Sequence, residues 1–355
     1  MKLKVIPAGD GDCFLCEFNN DGIPYRILID GGVESTFAEQ LRPLFDNPAF
    51  EIDLVIVTHV DDDHIAGIIA LLKDPTASKR IKSIWFNGYK HFPALTSGQT
   101  FGVEQGDTLS KLIEGLQIPW NKPFGGGAVA LNPDGSPQLV SLGANTTVTI
   151  VSPGTPELLR LKTRWEKEWK RIALRDAAKA AEAAAKTAAK AARGTRQTFA
   201  PLDIDELADP ALYTKDKSVT NASSIAFLLE ADGKSIFFSA DAIPETVCSA
   251  WEKGANAPRE VDIFKVSHHG SLKNTNAQLL SLFPSTRYVI STSGESHDHP
   301  DRESVARIIK HSRTSPKIYF NFYNKHTSVW ADPDVSNHQH IAEHGNGHDF
   351  VEINL

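Results

Sequence analysis

Seven residues, Thr58-His59-Val60-Asp61-Asp62-Asp63-His64, constrain this chain more than any other stretch. They close residues 52–58, where Ile-Asp-Leu-Val-Ile-Val-Thr predicts a buried strand, and they precede residues 65–72, an apolar run that predicts a helix. The strand therefore delivers two histidines and three carboxylates into one turn at the edge of a core. So much like charge in one turn repels itself. Divalent cations resolve the conflict, because imidazole and carboxylate are common ligands for them. A merely solvated acidic loop has no need of two histidines at the end of a buried strand.

The rest of the chain alternates strands and helices. A short strand over 2–7 and a hairpin of 13–17 with 25–29, turning at Asn19-Asn20-Asp21-Gly22, open it. Residues 36–44 read as a helix and 82–87 as a strand. Residues 88–145 are irregular, with a helix emerging over 98–116, and 146–151 is again a strand. After an interruption, strands follow at 225–230, 235–239, 263–266, 287–291 and 317–321, with a helix at 303–311. Strands interleaved with helices on both sides of the interruption predict two stacked sheets covered by helices, an α/β (α+β) sandwich.

The interruption has its own composition. Residues 155–196 carry 12 basic and five acidic residues, a surplus of +7 within a chain of net charge −7, so the remainder carries −14. Ala, Lys and Glu dominate, and the segment predicts a long helix with Trp165 and Trp169 on one face. We read 155–215 as a helical insertion in a single domain spanning 1–355, projecting as an arm and suited either to homo-oligomer contacts or to steering a polyanion. The global charge excludes an electrostatically driven, wholly basic nucleic-acid binder but not this local patch. No apolar run is long enough to cross a membrane, and the N-terminus has no long apolar stretch of the signal-peptide kind. Three cysteines fit a reducing, cytoplasmic setting. Cys13 and Cys16 would face opposite sides of a strand. His338-x-His340 reads as part of a solvated tail.

The motif His59-x-Asp61-x-Asp63-His64 resembles motif II of the metallo-β-lactamase superfamily, with Asp61 in place of a second histidine. That variant is similar to the hydrolase domain of ComEC-type DNA-uptake (competence) proteins and related phosphodiesterases. Further matches follow in family order. They are Gly9-Asp10-Gly11-Asp12, Ile29-Asp30-Gly31-Gly32, Asn221-Ala222-Ser223-Ser224, Ser239-Ala240-Asp241-Ala242, His268-His269-Gly270-Ser271 and His299-Pro300.

The resemblance implies a four-layer αββα metallo-β-lactamase-like sandwich and a metal-dependent hydrolase. Carried over residue by residue, His59 and Asp61 would hold one metal. Asp63, His64 and either His268 or His269 would hold a second, and Asp241 would bridge them. His268 is the nearer to its strand. Asn221 stands where the superfamily usually has another histidine and offers only a neutral ligand, so one or two ions are expected, Zn²⁺ or Mn²⁺, with Mg²⁺ as an alternative. Asp63 and His299 are the implied catalytic residues, His299 orienting a phosphate or protonating a leaving oxygen. Asp12, Asp30, Asn221 and Ser271 would support ligands or touch substrate. The expected reaction is hydrolysis of a phosphodiester, DNA or RNA among the substrates, by metal-activated water. The alternatives are a small-molecule ester, lactone or β-lactam hydrolase of the same fold, and an inactive regulatory or binding module.

Overall fold

In the computed structural model, which describes residues 1–92, 104–179, 202–332 and 334–355, the alternating segments form two sheets. The first sheet uses β1 (Lys2–Val5), β2 (Phe14–Asn20), β3 (Ile23–Ile29), β4 (Leu54–Ile56) and β5 (Ile84–Trp85). The second uses β6 (Gln138–Ser141), β7 (Thr147–Ser152), β8 (Ala226–Ala231), β9 (Lys234–Phe238), β10 (Ile263–Lys265), β11 (Arg287–Ile290), β12 (Lys317–Phe320) and β13 (Ile341–His344). The last strand, β14 (Val351–Asn354), returns to the first sheet and pairs antiparallel with β1, so its order is β14-β1-β2-β3-β4-β5. The second sheet runs β13-β12-β11-β10-β9-β8-β7-β6. In each sheet an antiparallel part continues into a parallel one, through β3-β4-β5 and through β9-β10-β11-β12-β13.

Strand alternation sorts the core. On β2, Phe14, Cys16 and Phe18 point between the sheets and meet Phe227 and Phe238 of the second sheet. Cys13 and Leu15 point the other way, into a layer of helices. Cys13 and Cys16 thus lie in different layers, and all three cysteines are buried thiols.

The helices are α1 (Glu34–Thr36), α2 (Asp62–Lys73), α3 (Glu104–Gly115), α4 (Thr155–Lys179), α5 (Ile204–Leu207), α6 (Val219–Ala222), α7 (Pro244–Lys253), α8 (Ala277–Leu282) and α9 (Arg302–His311). The outer face of the first sheet is covered by α2, α3 and the base of α4; that of the second by α5, α7, α8 and α9. Helices, sheet, sheet and helices make four layers. No described helix is long and apolar enough to cross a membrane.

Several local expectations change. The helix read at 36–44 is α1 followed by a π-helical turn (Phe37–Leu41) and a 3₁₀ turn (Arg42–Asp46). Pro43, which lacks an N–H, accompanies the change of helix type. Strands β6 and β13 were not anticipated; both are edge strands with an exposed apolar residue, Leu139 or Ile341, so their alternation is weak. His340 is buried rather than solvated, with Nε2 3.0 Å from the Trp330 carbonyl.

The insertion begins inside the body. Leu158, Leu161 and Trp165 form a buried stripe on α4, and the Trp165 ring packs against Phe92 and Gly106. Truncating a buried Trp of this kind typically costs about 3–5 kcal/mol. Residues 180–201, which include much of the predicted arm, lie outside the described residues. Leu202 and Ile204 are already back in the core of the second helical layer.

Candidate metal centre

The parallel strands of both sheets end at one rim, and the chemistry gathers there. Strand β4 leads into Thr58-His59, and α2 begins at Asp62. Asp62 and Asp63 thereby occupy the first helical turn, where the N-terminal dipole offsets part of their repulsion. Helix α2 packs backbone to backbone on the turn after β3. Gly67 donates to the Gly32 carbonyl at 3.0 Å, and a side chain on Gly67 would run into the Gly31 carbonyl. That close approach sets Asp30 beside His64. From the second sheet, β9 leads to Asp241 and β10 to His268-His269. His268 and His269 are both in the left-handed region, φ 47° and 54°. Two successive non-glycine residues there are costly, and the turn they make places both imidazoles beside Asp241.

Each of the four imidazoles is fixed from behind, and the partners determine its tautomer. His64 Nδ1 lies 2.9 Å from Asp30 Oδ2, which can only accept. Thr58 Oγ1 donates to the same Oδ2 at 2.7 Å, so it accepts from His59 Nδ1 at 3.0 Å. His269 Nδ1 donates to the Ser291 carbonyl at 2.8 Å. His268 Nδ1 meets Asn274 Oδ1 at 2.9 Å, an amide oriented by its Nδ2 donating to Asp216 and to the Asp241 carbonyl, each at 3.1 Å. In the neutral form of each ring the Nδ1 therefore carries the proton and the Nε2 presents a lone pair.

Those lone pairs converge on carboxylates. Asp241 Oδ2 is 3.8 Å from Nε2 of His59, 3.6 Å from His64, 3.7 Å from His268 and 3.9 Å from His269. Asp61 Oδ2 is 3.6 Å from His59 Nε2, and Asp63 Oδ2 is 3.4 Å from His269 Nε2. His59 Nε2, His64 Nε2, His269 Nε2 and Asp241 Oδ1 are buried with no hydrogen-bond partner. Ring nitrogens facing anionic oxygens at these distances call for positive charge between them, a metal cation or a proton on Nε2. Two ligands of one tetrahedral ion at about 2.0–2.2 Å each stand about 3.3–3.6 Å apart, close to the spacings found. His59, His64 and Asp241 form one group that can hold an ion, and Asp63, His64 and His269 a second. A third, Asp12, Asp30 and His64, uses His64 from its Nδ1 side, where Asp30 already accepts and Asp12 pairs with Lys265.

The carboxylates mark the imidazoles electrostatically. Burial opposes charging His64, yet Asp63, Asp241 and Asp30 hold its pKa well above the usual range. Burial likewise opposes charging His269, but Asp12 and Asp241 push it up to about 10. Asp241 moves the other way: burial would raise it, and His268, His64 and His269 hold it well below. A centre this negative favours positive charge in its middle.

The remaining predicted residues take supporting places. Asp12 and Lys265 form an ion pair, both side chains buried, and Asp12 lies 3.4 Å from His269 Nδ1. Asn221 does not present a free oxygen: Ser218 Oγ donates to its Oδ1 at 3.1 Å, and its Nδ2 donates to Asp216 at 2.7 Å, behind His268. Ser271 faces away, its Oγ accepting from Lys273 N at 3.3 Å within the turn. His299 packs its ring on His268, centroids 5.4 Å apart; burial and the neighbouring His268 and His269 lower its pKa to about 3. It is thus neutral, suited to hydrogen bonding more than to giving up a ready proton. Sequence reasoning missed Lys265, Asp216, Asn274 and Thr220, which donates to Asp61 at 2.9 Å. Only Lys265, a charge within a buried strand, left a visible signal.

Residues 10–151 match the family described as the metallo-beta-lactamase superfamily. The fold is a metallo-β-lactamase fold. It implies divalent metal ions, and the His/Asp groups above can hold them. Among solved structures, human tRNase Z, short form (ELAC1), is similar over 100% of this chain and 99% of its own, with 12% identity and a TM-score of 0.44. No curated protein matches the sequence.

Proposed function

We propose that this metallo-β-lactamase-fold protein is a metal-dependent phosphodiesterase acting on nucleic acid, in keeping with the resemblance of its motifs to the ComEC-type hydrolase domain. The convergence of four imidazole lone pairs on Asp241 carries the reading of the site as a metal-dependent hydrolase. His59, Asp61 and His268 would hold one ion, Asp63, His64 and His269 the other, with Asp241 shared. When bound, such ions lower the pKa of water toward neutrality and polarise a phosphoryl oxygen. Asp30, Ser291 and Asn274 keep the imidazoles in the tautomer that leaves Nε2 free. His299, at the rim, would hydrogen-bond a phosphoryl oxygen and orient the ester.

One feature favours a polymeric anion over a small ester. Helix α4, with eight basic and four acidic residues in its sequence, packs at its base on α6, which carries Thr220 and Asn221 behind the centre. Positive charge beside an acidic site attracts a polyanion over a Debye length of about 8 Å at physiological salt.

The test is hydrolysis of bis-p-nitrophenyl phosphate, single-stranded DNA, RNA and nitrocefin by protein loaded with Zn²⁺ or Mn²⁺. Phosphodiester cleavage abolished by chelation and by Asp63→Ala is the expected result. Turnover of nitrocefin or a lactone alone would refute the reading.

A further inference from the structure

The loop of residues 291–301, between β11 and α9, carries His299, and its far end is tied to the metal centre. Asp301 N donates to the Gly270 carbonyl at 3.0 Å, and Leu272 N donates to the Asp301 carboxylate at 2.8 Å. The near end is held by a residue from the opposite end of the chain. Asp10 Oδ1 accepts from Ser293 Oγ at 2.5 Å and Glu295 N at 3.1 Å, and its Oδ2 accepts from Ser296 N at 2.7 Å. Ser293 N in turn donates to the Gly9 carbonyl at 2.8 Å. With Thr292 Oγ1, which donates to Oδ1 at 3.4 Å, one carboxylate thus gathers four donors from five successive residues. Charge-assisted bonds of this kind are roughly twice as strong as neutral ones.

The other side of the same turn rests on the metal ligands. Asp12 N donates to the Asp63 carbonyl at 3.2 Å, and a side chain on Gly11 would run into that carbonyl. Ser291, whose carbonyl orients His269, donates its Oγ to the Gly11 carbonyl at 2.8 Å. Residues 9–12 therefore form a bracket with Asp63 and His269 on one side and the His299 loop on the other. Asp10 itself is not among the residue groups that can hold an ion.

We propose that Asp10 is a positioning residue, fixing residues 293–296 so that His299 packs on His268 at the rim of the centre. A carboxylate suits the task, since both its oxygens accept, whereas an amide at this position brings one acceptor and one donor. The inference rests on the phosphodiesterase reading for its kinetic consequence, though not for its structural one.

The experiment is a double-mutant cycle on bis-p-nitrophenyl phosphate hydrolysis by the zinc-loaded protein, with Asp10→Ala, His299→Ala and the pair, and with Asp10→Asn in case the alanine variant fails to fold. We expect His299→Ala to lower kcat about 100-fold and Asp10→Ala about 10-fold. We expect the double variant to match His299→Ala within about twofold, because the effect of Asp10 passes through His299. Zinc content should stay at the wild-type value, while loss of the charge-assisted bonds of Asp10 lowers the melting temperature of both Asp10 variants. Equal loss from Asp10→Ala with and without His299, or no loss at all, overturns the proposal. Histidine ring ¹⁵N spectra at fixed pH provide a second readout that needs no turnover. The resonance absent from His299→Ala should shift or broaden in Asp10→Ala while those of His59 and His64 stay in place. If the wild type cleaves no phosphodiester, the functional reading fails, and this spectrum alone decides the positioning role; an unmoved His299 signal overturns it.

Discussion

In the ligand assignment proposed above, the two flanks of Asp241 are made of different material. On one flank stand Asp63, His64 and His269, with both imidazoles fully buried and backed by the Asp30 carboxylate, the Ser291 carbonyl and the Asp12–Lys265 pair. On the other stand His59, Asp61 and His268. The Asp61 side chain is 38% exposed and that of His268 24% exposed, while His59 is buried; on the first flank only Asp63, 29% exposed, reaches solvent. This flank is backed largely by neutral groups, the Thr220 and Thr58 hydroxyls and the Asn274 amide, with Asp216 one bond further out. The flank in which a carboxylate, Asp30, backs an imidazole directly should bind a cation more tightly. An open flank supported by amides should bind more weakly and exchange its ion with solvent. Asn221 sharpens the contrast, because its oxygen and nitrogen are both engaged behind His268 and it adds no charge to the open flank.

Removing the shared group should have the largest effect. Asp241→Ala is expected to abolish binding on both flanks and to cut phosphodiester hydrolysis by about 10³-fold or more, measured as metal content after dialysis and as kcat/KM. The flanks should then separate. His269→Ala should lose the tight ion and about 10²–10³-fold in rate at any practical metal concentration. His268→Ala should lose only the weak ion, with activity recovering as metal is raised into the millimolar range. Identical metal titrations for these two variants would break the asymmetry. A smaller effect is expected for Asp216→Asn, which leaves the size of the Asn274 and His268 support but removes its charge. Metal affinity of the open flank should fall about 10-fold, read by calorimetric titration, with the tight flank unchanged. The smallest belongs to α4. Neutralising its basic residues from Lys167 to Lys179 should weaken single-stranded DNA cleavage severalfold at low salt, leave bis-p-nitrophenyl phosphate untouched, and show no effect at high salt.

The asymmetry could not have been read from the residues that announced the site. His59, Asp61, Asp63 and His64 lie in one turn, and a buried strand before that turn is a local signal. Asp241 and His268-His269 also end strands with legible apolar runs, so the two sheets and most of the ligand candidates were visible in the sequence. What backs them was not. Asp216 and Asn274 are 58 residues apart, and Asp10 meets Ser293 across 283 positions. These are ordinary polar residues in loops; Asp216 and Asn274 meet through the strand order of the second sheet, and Asp10 meets Ser293 only where the two sheets close on each other. The choice between His268 and His269 was hidden for a related reason. Both are brought to Asp241 by successive left-handed residues, a backbone choice that no side-chain pattern encodes. The edge strands β6 and β13 escaped because half-exposed strands carry little alternation; the closing strand β14 alternates, Val351 and Ile353 in and Glu352 and Asn354 out, but is only four residues long.

The central claim is that one buried carboxylate, Asp241, joins two unequal cation sites. Native mass spectrometry during a zinc titration of the metal-stripped protein tests it most directly. The account predicts two ions per chain filling in separate steps, with the first step missing from His269→Ala and both missing from Asp241→Ala. A wild-type protein that takes up no zinc, or an Asp241→Ala variant that still binds two ions, would contradict it.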